Sequence, residues 1–215
     1  MKIAICMPIF GGIETPTFFS ILNALNCLKT YKPDCEIQFF HTERRPIYWA
    51  RQELWDMARY SGCDRMIFLS EDIVLKIDTL ITLIETKYDI FSVLYFERQP
   101  PHRPMVFRLD DDNLWHPHNI DINNKIQIVD GVGCDCISFS REVIDKIPSS
   151  AFLPSEGYPG DDLSFFIHVK KKGYEVFLDT SHKVGHVYHK KRIIGYEDYI
   201  DSLGTLYKKH EWHKK

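Results

Sequence analysis

No run in this 215-residue sequence approaches the roughly 18 consecutive apolar residues that a membrane-spanning helix needs, so no transmembrane segment is expected. Met1-Lys2-Ile3 leads straight into a strand-like segment without the apolar core and cleavage site of a secretory signal, and the chain is expected to be cytoplasmic. Positive charge is not in excess. The 27 Lys and Arg stand against 30 Asp and Glu, a formal charge of -3, which removes the electrostatic case for a nucleic-acid partner. A disulfide framework is missing too: the six cysteines are spread over Cys6, Cys27, Cys35, Cys63, Cys134 and Cys136. Cys134-Asp135-Cys136 does not have the two-residue spacing of a zinc knuckle, and no second close pair accompanies it. Reduced thiols acting as small buried hydrophobes fit better. Repeats and low-complexity tracts are absent.

What is present is the composition of a folded protein, 44% hydrophobic and slightly rich in aromatics at 13%, in a chain long enough for one sizeable core. A single domain over residues 1–215 is therefore expected. Residues 3–7 form an apolar run that ends in Pro8, with Gly11-Gly12 beyond, which reads as a buried strand opening into a loop. Thr15 can cap a following helix, with Pro16 at its first position and Phe18, Phe19, Leu22, Leu25 and Cys27 or Leu28 as its apolar face. A strand over 36–41, a helix over 47–60 that stops at Gly62, and a strand over 65–69 follow. A short helix over 77–86 and a strand over 89–96 complete three strand-helix units. That repetition predicts an α/β fold with a mostly parallel central sheet flanked by helices, and ligands in such sheets bind beyond the strands' carboxyl ends.

The second half reads differently. Three prolines fall within 98–104, Asp110-Asp111-Asp112-Asn113 resembles a solvated turn, and strands near 105–109 and 126–130 are read as extending the same sheet. Gly131-Val132-Gly133 leads into a strand over 136–140 and a helix over 141–147. A loop over 155–160 opens a helix at 161–172 that stops at Gly173; strands over 174–178 and 183–188 and an amphipathic helix over 196–209 close the chain. Trp115-His116-Pro117-His118 and the 155–160 loop could shape an acceptor site or be ordered surface.

Phe68-Leu69-Ser70-Glu71-Asp72 carries the strongest chemical signal. An apolar run delivers two adjacent carboxylates to a strand end, and two such charges about 5 Å apart repel by roughly 3 kcal/mol at an effective dielectric near 20. A divalent metal carrying a phosphate ligand would answer that charge; a capping turn accounts for the pair as well. Three further groups stand out, each with a plain structural account beside the chemical one. Asp161-Asp162 opens a helix, where carboxylates are favoured anyway, and one of them could act as a general base. His186 in Val184-Gly185-His186-Val187 could be a satisfied core histidine or a metal ligand. Arg44, Arg45, Arg51, Lys190, Lys191 and Arg192 could be solvated surface or phosphate donors.

Their order along the chain resembles a known family. Phe68-Leu69-Ser70-Glu71-Asp72-Ile73 is similar to the DxD-type strand end of small GT-A glycosyltransferases, close to the family 2 type of bacteria, phages and large DNA viruses. Gly160-Asp161-Asp162-Leu163-Ser164-Phe165-Phe166, then Lys172-Gly173-Tyr174-Glu175-Val176-Phe177-Leu178-Asp179-Thr180, then Gly185-His186-Val187, looks like that family's downstream block.

The resemblance implies a GT-A fold, with residues 1–100 as the nucleotide-binding half, 101–190 as the donor-sugar and acceptor half, and 191–215 as lid and final helix. It implies a glycosyltransferase that takes a UDP-sugar with Mn2+ or Mg2+ and transfers to a hydroxyl of a glycan, lipid-linked or protein-linked acceptor. Asp72 and His186 would be metal ligands, and Glu71 would touch metal-bound water, ribose or sugar. Pro8, Phe10, Thr42, Arg44 and Arg45 would form the base pocket, Arg51 would contact the nucleotide, and Lys190 and Lys191 would lie in a lid over the diphosphate. Gly131 and Gly133 would admit the donor sugar, and Asp162, or Asp161, would be the base. Ser70 departs from the pattern where the first aspartate is usual, and Gln52 where asparagine is. Two rivals remain: an inactive nucleotide- or sugar-binding module, and a nucleotidyltransferase, against which Pro8-Ile9-Phe10-Gly11-Gly12 lacks the basic residue of a triphosphate loop.

Overall fold

The computed structural model describes residues 1–122, 125–154, 161–188 and 192–201. Along the chain run β1 (Lys2–Ile9), α1 (Thr15–Tyr31), β2 (Glu36–Glu43), α2 (Ile47–Ser61), β3 (Arg65–Leu69), β4 (Ile73–Val74), α3 (Thr79–Ile84) and β5 (Ile90–Leu94). Then come β6 (Val106–Leu109), β7 (Trp115–Pro117), β8 (Ile126–Val129), β9 (Gly131–Val132), β10 (Cys136–Ser140) and α4 (Arg141–Lys146). A short 3-10 helix (Ser149–Phe152), α5 (Asp161–Lys171), β11 (Val176–Lys183), β12 (Gly185–Tyr188) and β13 (Arg192–Ile194) follow.

Seven strands form the central sheet in the order β2-β1-β3-β10-β5-β11-β8. β10 and β8 run against the other strands, which are parallel to one another, so the sheet is mostly parallel as expected. Helices cover both faces, which is why β1 and β3, apart from Lys2 and Arg65 at their starts, are apolar instead of alternating with polar residues. The period of two sorts their side chains. Ala4, Cys6, Met66 and Phe68 join the cluster under α2, α4 and α5. Ile3, Ile5, Ile67 and Leu69 join the cluster under α1 and α3. Trp55 is the centre of the first: its ring lies 5.1 Å from those of Phe139 and Phe165, and its indole N–H donates to the Ile147 carbonyl at 3.0 Å. All six cysteines are free thiols.

Several expectations need correction. Glu14, extended and without a side-chain cap bond, precedes α1, and Thr15 lies inside the helix. The buried face of α1 is Thr17, Ile21, Ala24 and Leu28, whereas Phe18, Phe19 and Leu22 are exposed. β8 does extend the central sheet, but β6 does not. It pairs with β7 and β9 in a separate three-stranded sheet, because Asp110 closes a hairpin by accepting the amides of Asp112 (3.0 Å) and Leu114 (2.8 Å). Trp115-His116-Pro117 is consequently strand β7. β11 begins at Val176 and not at Tyr174. The 155–160 loop, Lys190, Lys191 and the final helix beyond residue 201 lie outside the described residues. Among the described residues, no helix is long and apolar enough to cross a membrane.

Candidate functional site

A cavity of about 590 Å³ opens beyond the carboxyl ends of β1, β3 and β5, lined by Pro8, Phe10, Ile47, Arg51, Ser70, Glu71, Asp72, Glu97, Arg98, Gln99, Met105, Asp135 and His186. Asp72 and His186 meet there because β4 pairs antiparallel with β12, setting His186 opposite Ile73, while the Val187 amide donates to the Asp72 carbonyl at 2.8 Å. Nε2 of His186 lies 3.4 Å from Asp72 Oδ2. Nδ1 is 2.8 Å from the Phe96 carbonyl, and as its donor it leaves Nε2 facing the carboxylate and the cavity.

Burial works against charge on the His186 ring, yet the Asp72 carboxylate, the Phe96 carbonyl and, further off, Asp135 outweigh it, and its pKa is raised. A ring with a raised folded pKa contributes stability that is complete below its unfolded value of about 6.5 and is lost as pH rises through the folded one. Asp72→Asn is therefore expected to lower the His186 pKa in an NMR titration and to remove that component of the pH dependence. An unmoved titration would show that Asp72 does not set it.

Behind this pair sits a buried charge cluster. Arg51, only 3% exposed, points from α2 into the start of α5, where it pairs with Asp161 and Asp162, and reaches Asp135 at 2.9 Å through its other terminal nitrogen. Burial opposes its charge, but Asp161 and Asp135 more than compensate and its pKa is raised. Asp135 also accepts from the Ser70 hydroxyl and from the Tyr95 hydroxyl at 2.9 Å. Burial alone would raise its pKa, but Arg51, the Ser70 bond, His186 and the Tyr95 bond lower it instead. Ser70, at the position where the family pattern has an aspartate, thus bonds to a carboxylate from β10's leading edge.

Glu71 faces the β1–α1 loop and accepts the amides of Phe10 (2.8 Å), Gly11 (3.1 Å) and Gly12 (3.2 Å). Phe10 itself is 72% exposed at the cavity wall. Thr42 is adjacent to Pro8 across the parallel β1–β2 pairing, and its buried hydroxyl has no hydrogen-bond partner among the described residues. Arg44 follows it in the left-handed region at φ 52°. Arg45 turns away: it pairs with Glu53 at 3.1 Å in a separate groove bounded by β2 and α2.

The glycine-rich segment has a role in packing. A Cβ on Gly131 would meet the Trp115 ring at 3.1 Å and Phe166 at 3.2 Å, and one on Gly133 would lie 1.9 Å from the Tyr95 hydroxyl. What approaches these glycines is the protein's own side chains. Gly133→Ala is expected to cost about 1–3 kcal/mol by overpacking and to push Tyr95 off Asp135, read as a lower urea midpoint; an unchanged midpoint would mean that Tyr95 yields freely.

Among the lining residues that sequence reasoning misses, Asp135 and Arg98 bond directly to the candidate site residues. Asp135 sits in Cys134-Asp135-Cys136, where the cysteines draw attention first. Arg98 follows β5, reaches Asp72 Oδ2 at 2.9 Å and keeps its side chain 55% exposed over the cavity; its only signal was a basic residue just beyond an apolar strand's carboxyl end.

The sheet order, the antiparallel β10 inserted between β3 and β5, and a polar cavity at the β3 end describe a GT-A-like α/β fold. The crystal structure of A197 from STIV shares it, with a TM-score of 0.62 at 21% identity over 92% of each chain. A glycosyltransferase involved in the glycosylation of the major capsid of PBCV-1 gives a TM-score of 0.40 at 9% identity, over 80% of this chain and 77% of that one. S. aureus TarS 1-349 gives 0.48 at 11% identity, over 94% of this chain and 63% of that one. No protein-family profile and no curated protein matches the sequence.

Proposed function

We propose that the chain is a metal-dependent glycosyltransferase that moves a sugar from a nucleoside-diphosphate sugar, uridine-based, to an acceptor hydroxyl with inversion at the anomeric carbon. The observation that carries this reading is the Asp72–His186 pair at the wall of the strand-end cavity. A carboxylate oxygen and an imidazole nitrogen held in place by its second nitrogen are a donor set that suits Mn2+ or Mg2+. Among the described residues no third His, Cys, Asp or Glu completes a protein-only site; diphosphate oxygens and water would fill the remaining positions, as is usual for octahedral cations. When bound, the cation would neutralise charge on the departing diphosphate.

The chain's own residues do the rest. Pro8, Phe10 and Thr42 receive the base, with Arg44 at the edge of that pocket. Among the described residues the Arg98 guanidinium, half-exposed beside Asp72, is the cation best placed for the diphosphate. Asp162, held by Arg51 at the start of α5, takes the acceptor proton as the hydroxyl oxygen bonds to the anomeric carbon and the bond to the phosphate oxygen breaks. Asp161 is the alternate base.

Uridine, guanosine and thymidine diphosphate sugars, each with Mn2+, are the ligands to screen by thermal shift, followed by donor hydrolysis without acceptor. The uridine compounds are expected to raise the midpoint in the presence of metal and to be slowly hydrolysed. Binding without any turnover would leave a nucleotide-sugar-binding module, and no shift with any donor would refute the reading.

A further inference from the structure

Among the described residues, the carboxylate of Glu71 is met by backbone amides and by no side-chain cation. Phe10 N donates to Oε2 at 2.8 Å, Gly11 N is shared between Oε1 at 3.2 Å and Oε2 at 3.1 Å, and Gly12 N reaches Oε2 at 3.2 Å. Three successive amides converging on one point form an anion-binding concavity. The loop can curl this way because Gly12 adopts φ 111°, a backbone conformation that side chains disfavour. A second tie closes the far end, where the Glu14 amide donates to the Glu71 carbonyl at 2.9 Å. One residue at the end of β3 thus holds the whole connection from β1 to α1. That connection carries Phe10, an aromatic ring 72% exposed at the cavity wall. Holding so apolar a group out toward solvent needs a backbone that cannot relax.

We propose that Glu71 is a positioning residue that latches this loop so that the Phe10 ring forms a fixed wall of the donor cavity, and that it is not a ligand of metal or sugar. The donor part rests on the function proposed above; the latch itself does not. Charge-assisted bonds to backbone amides are among the stronger hydrogen bonds, and the geometry uses both oxygens of a side chain one methylene longer than aspartate. An ordered loop also avoids an entropic cost when donor binds.

Amide hydrogen exchange on the ligand-free protein tests the latch, and UDP binding with Mn2+ plus donor turnover tests its purpose. Glu71→Ala is expected to speed exchange at Phe10, Gly11 and Gly12 by about tenfold or more as local opening becomes easier. UDP affinity should weaken by about three- to tenfold with kcat changed less than about twofold, because only binding is disturbed. Glu71→Gln, which keeps one acceptor oxygen, should recover part of both effects. Unaltered exchange in Glu71→Ala overturns the proposal, and so does an increased Mn2+ requirement with UDP affinity at fixed metal unchanged. Should UDP fail to bind the unmodified protein, the functional reading falls while the exchange result still decides whether Glu71 holds the loop.

Discussion

Replacing Arg51 by methionine is expected to destabilise the protein by about 3–5 kcal/mol, the usual cost of removing one partner from a buried ionic cluster. The guanidinium is 3% exposed and serves Asp135, Asp161 and Asp162, whose side chains are 19%, 14% and 18% exposed. Methionine fills much of the volume but leaves three carboxylates facing one another in poor solvent. Asp135 then loses the largest influence that lowers its pKa. The sign of the pH effect follows. In the native protein the depressed Asp135 pKa contributes stability that is present above its unfolded value of about 3.9 and is lost only as pH falls through the folded one. In Arg51→Met the Asp135 pKa moves up because its largest lowering influence is gone, so the stability that its ionised form contributes, and with it part of the loss on acidification, should shrink relative to the unmodified protein. Urea unfolding at several pH values reads both effects; a loss below about 1 kcal/mol would show that water, not Arg51, satisfies these carboxylates.

Asp162→Asn is expected to lower transfer by about 10²- to 10⁴-fold, the range for loss of a general base, with donor affinity almost unchanged. Asparagine keeps the shape and its oxygen can still face Arg51, so the fold should survive. It cannot take the acceptor proton. The parallel Asp161→Asn variant sets the comparison: if it, and not Asp162→Asn, abolishes transfer, the base is the first residue of α5. Both variants retaining turnover would remove α5 from the chemistry.

The strand-helix order was legible because β1, β3 and β5 are covered on both faces and therefore appear as predominantly apolar runs, while Gly62 and Gly173, both with positive φ, mark two helix ends. The phase of α1 was not. Its two apolar stripes compete, and only packing chose the one with small Thr17 and Ala24 over the one with Phe18 and Leu22. β6 was misplaced because a four-residue strand, Val106 to Leu109, carries no information about which sheet it joins. At the site, the acidic pair, His186 and the acidic start of α5 were found by order along the chain, and the fold brings Asp72 and His186 together. The contacts that organise them left no trace in residue types: Glu71 meets backbone amides, Arg51 meets carboxylates more than 80 residues away, and Asp135 is a single aspartate between two cysteines.

The proposal centres on a donor site built on Asp72 and His186. Calorimetric titration of UDP in the presence and absence of Mn2+, on the unmodified protein and on Asp72→Ala, tests it most directly. Metal-dependent binding that weakens by about tenfold or more in Asp72→Ala, a change of about 1.4 kcal/mol or more, is the predicted result. Equal affinity with and without Mn2+, or equal affinity in the two proteins, would contradict it.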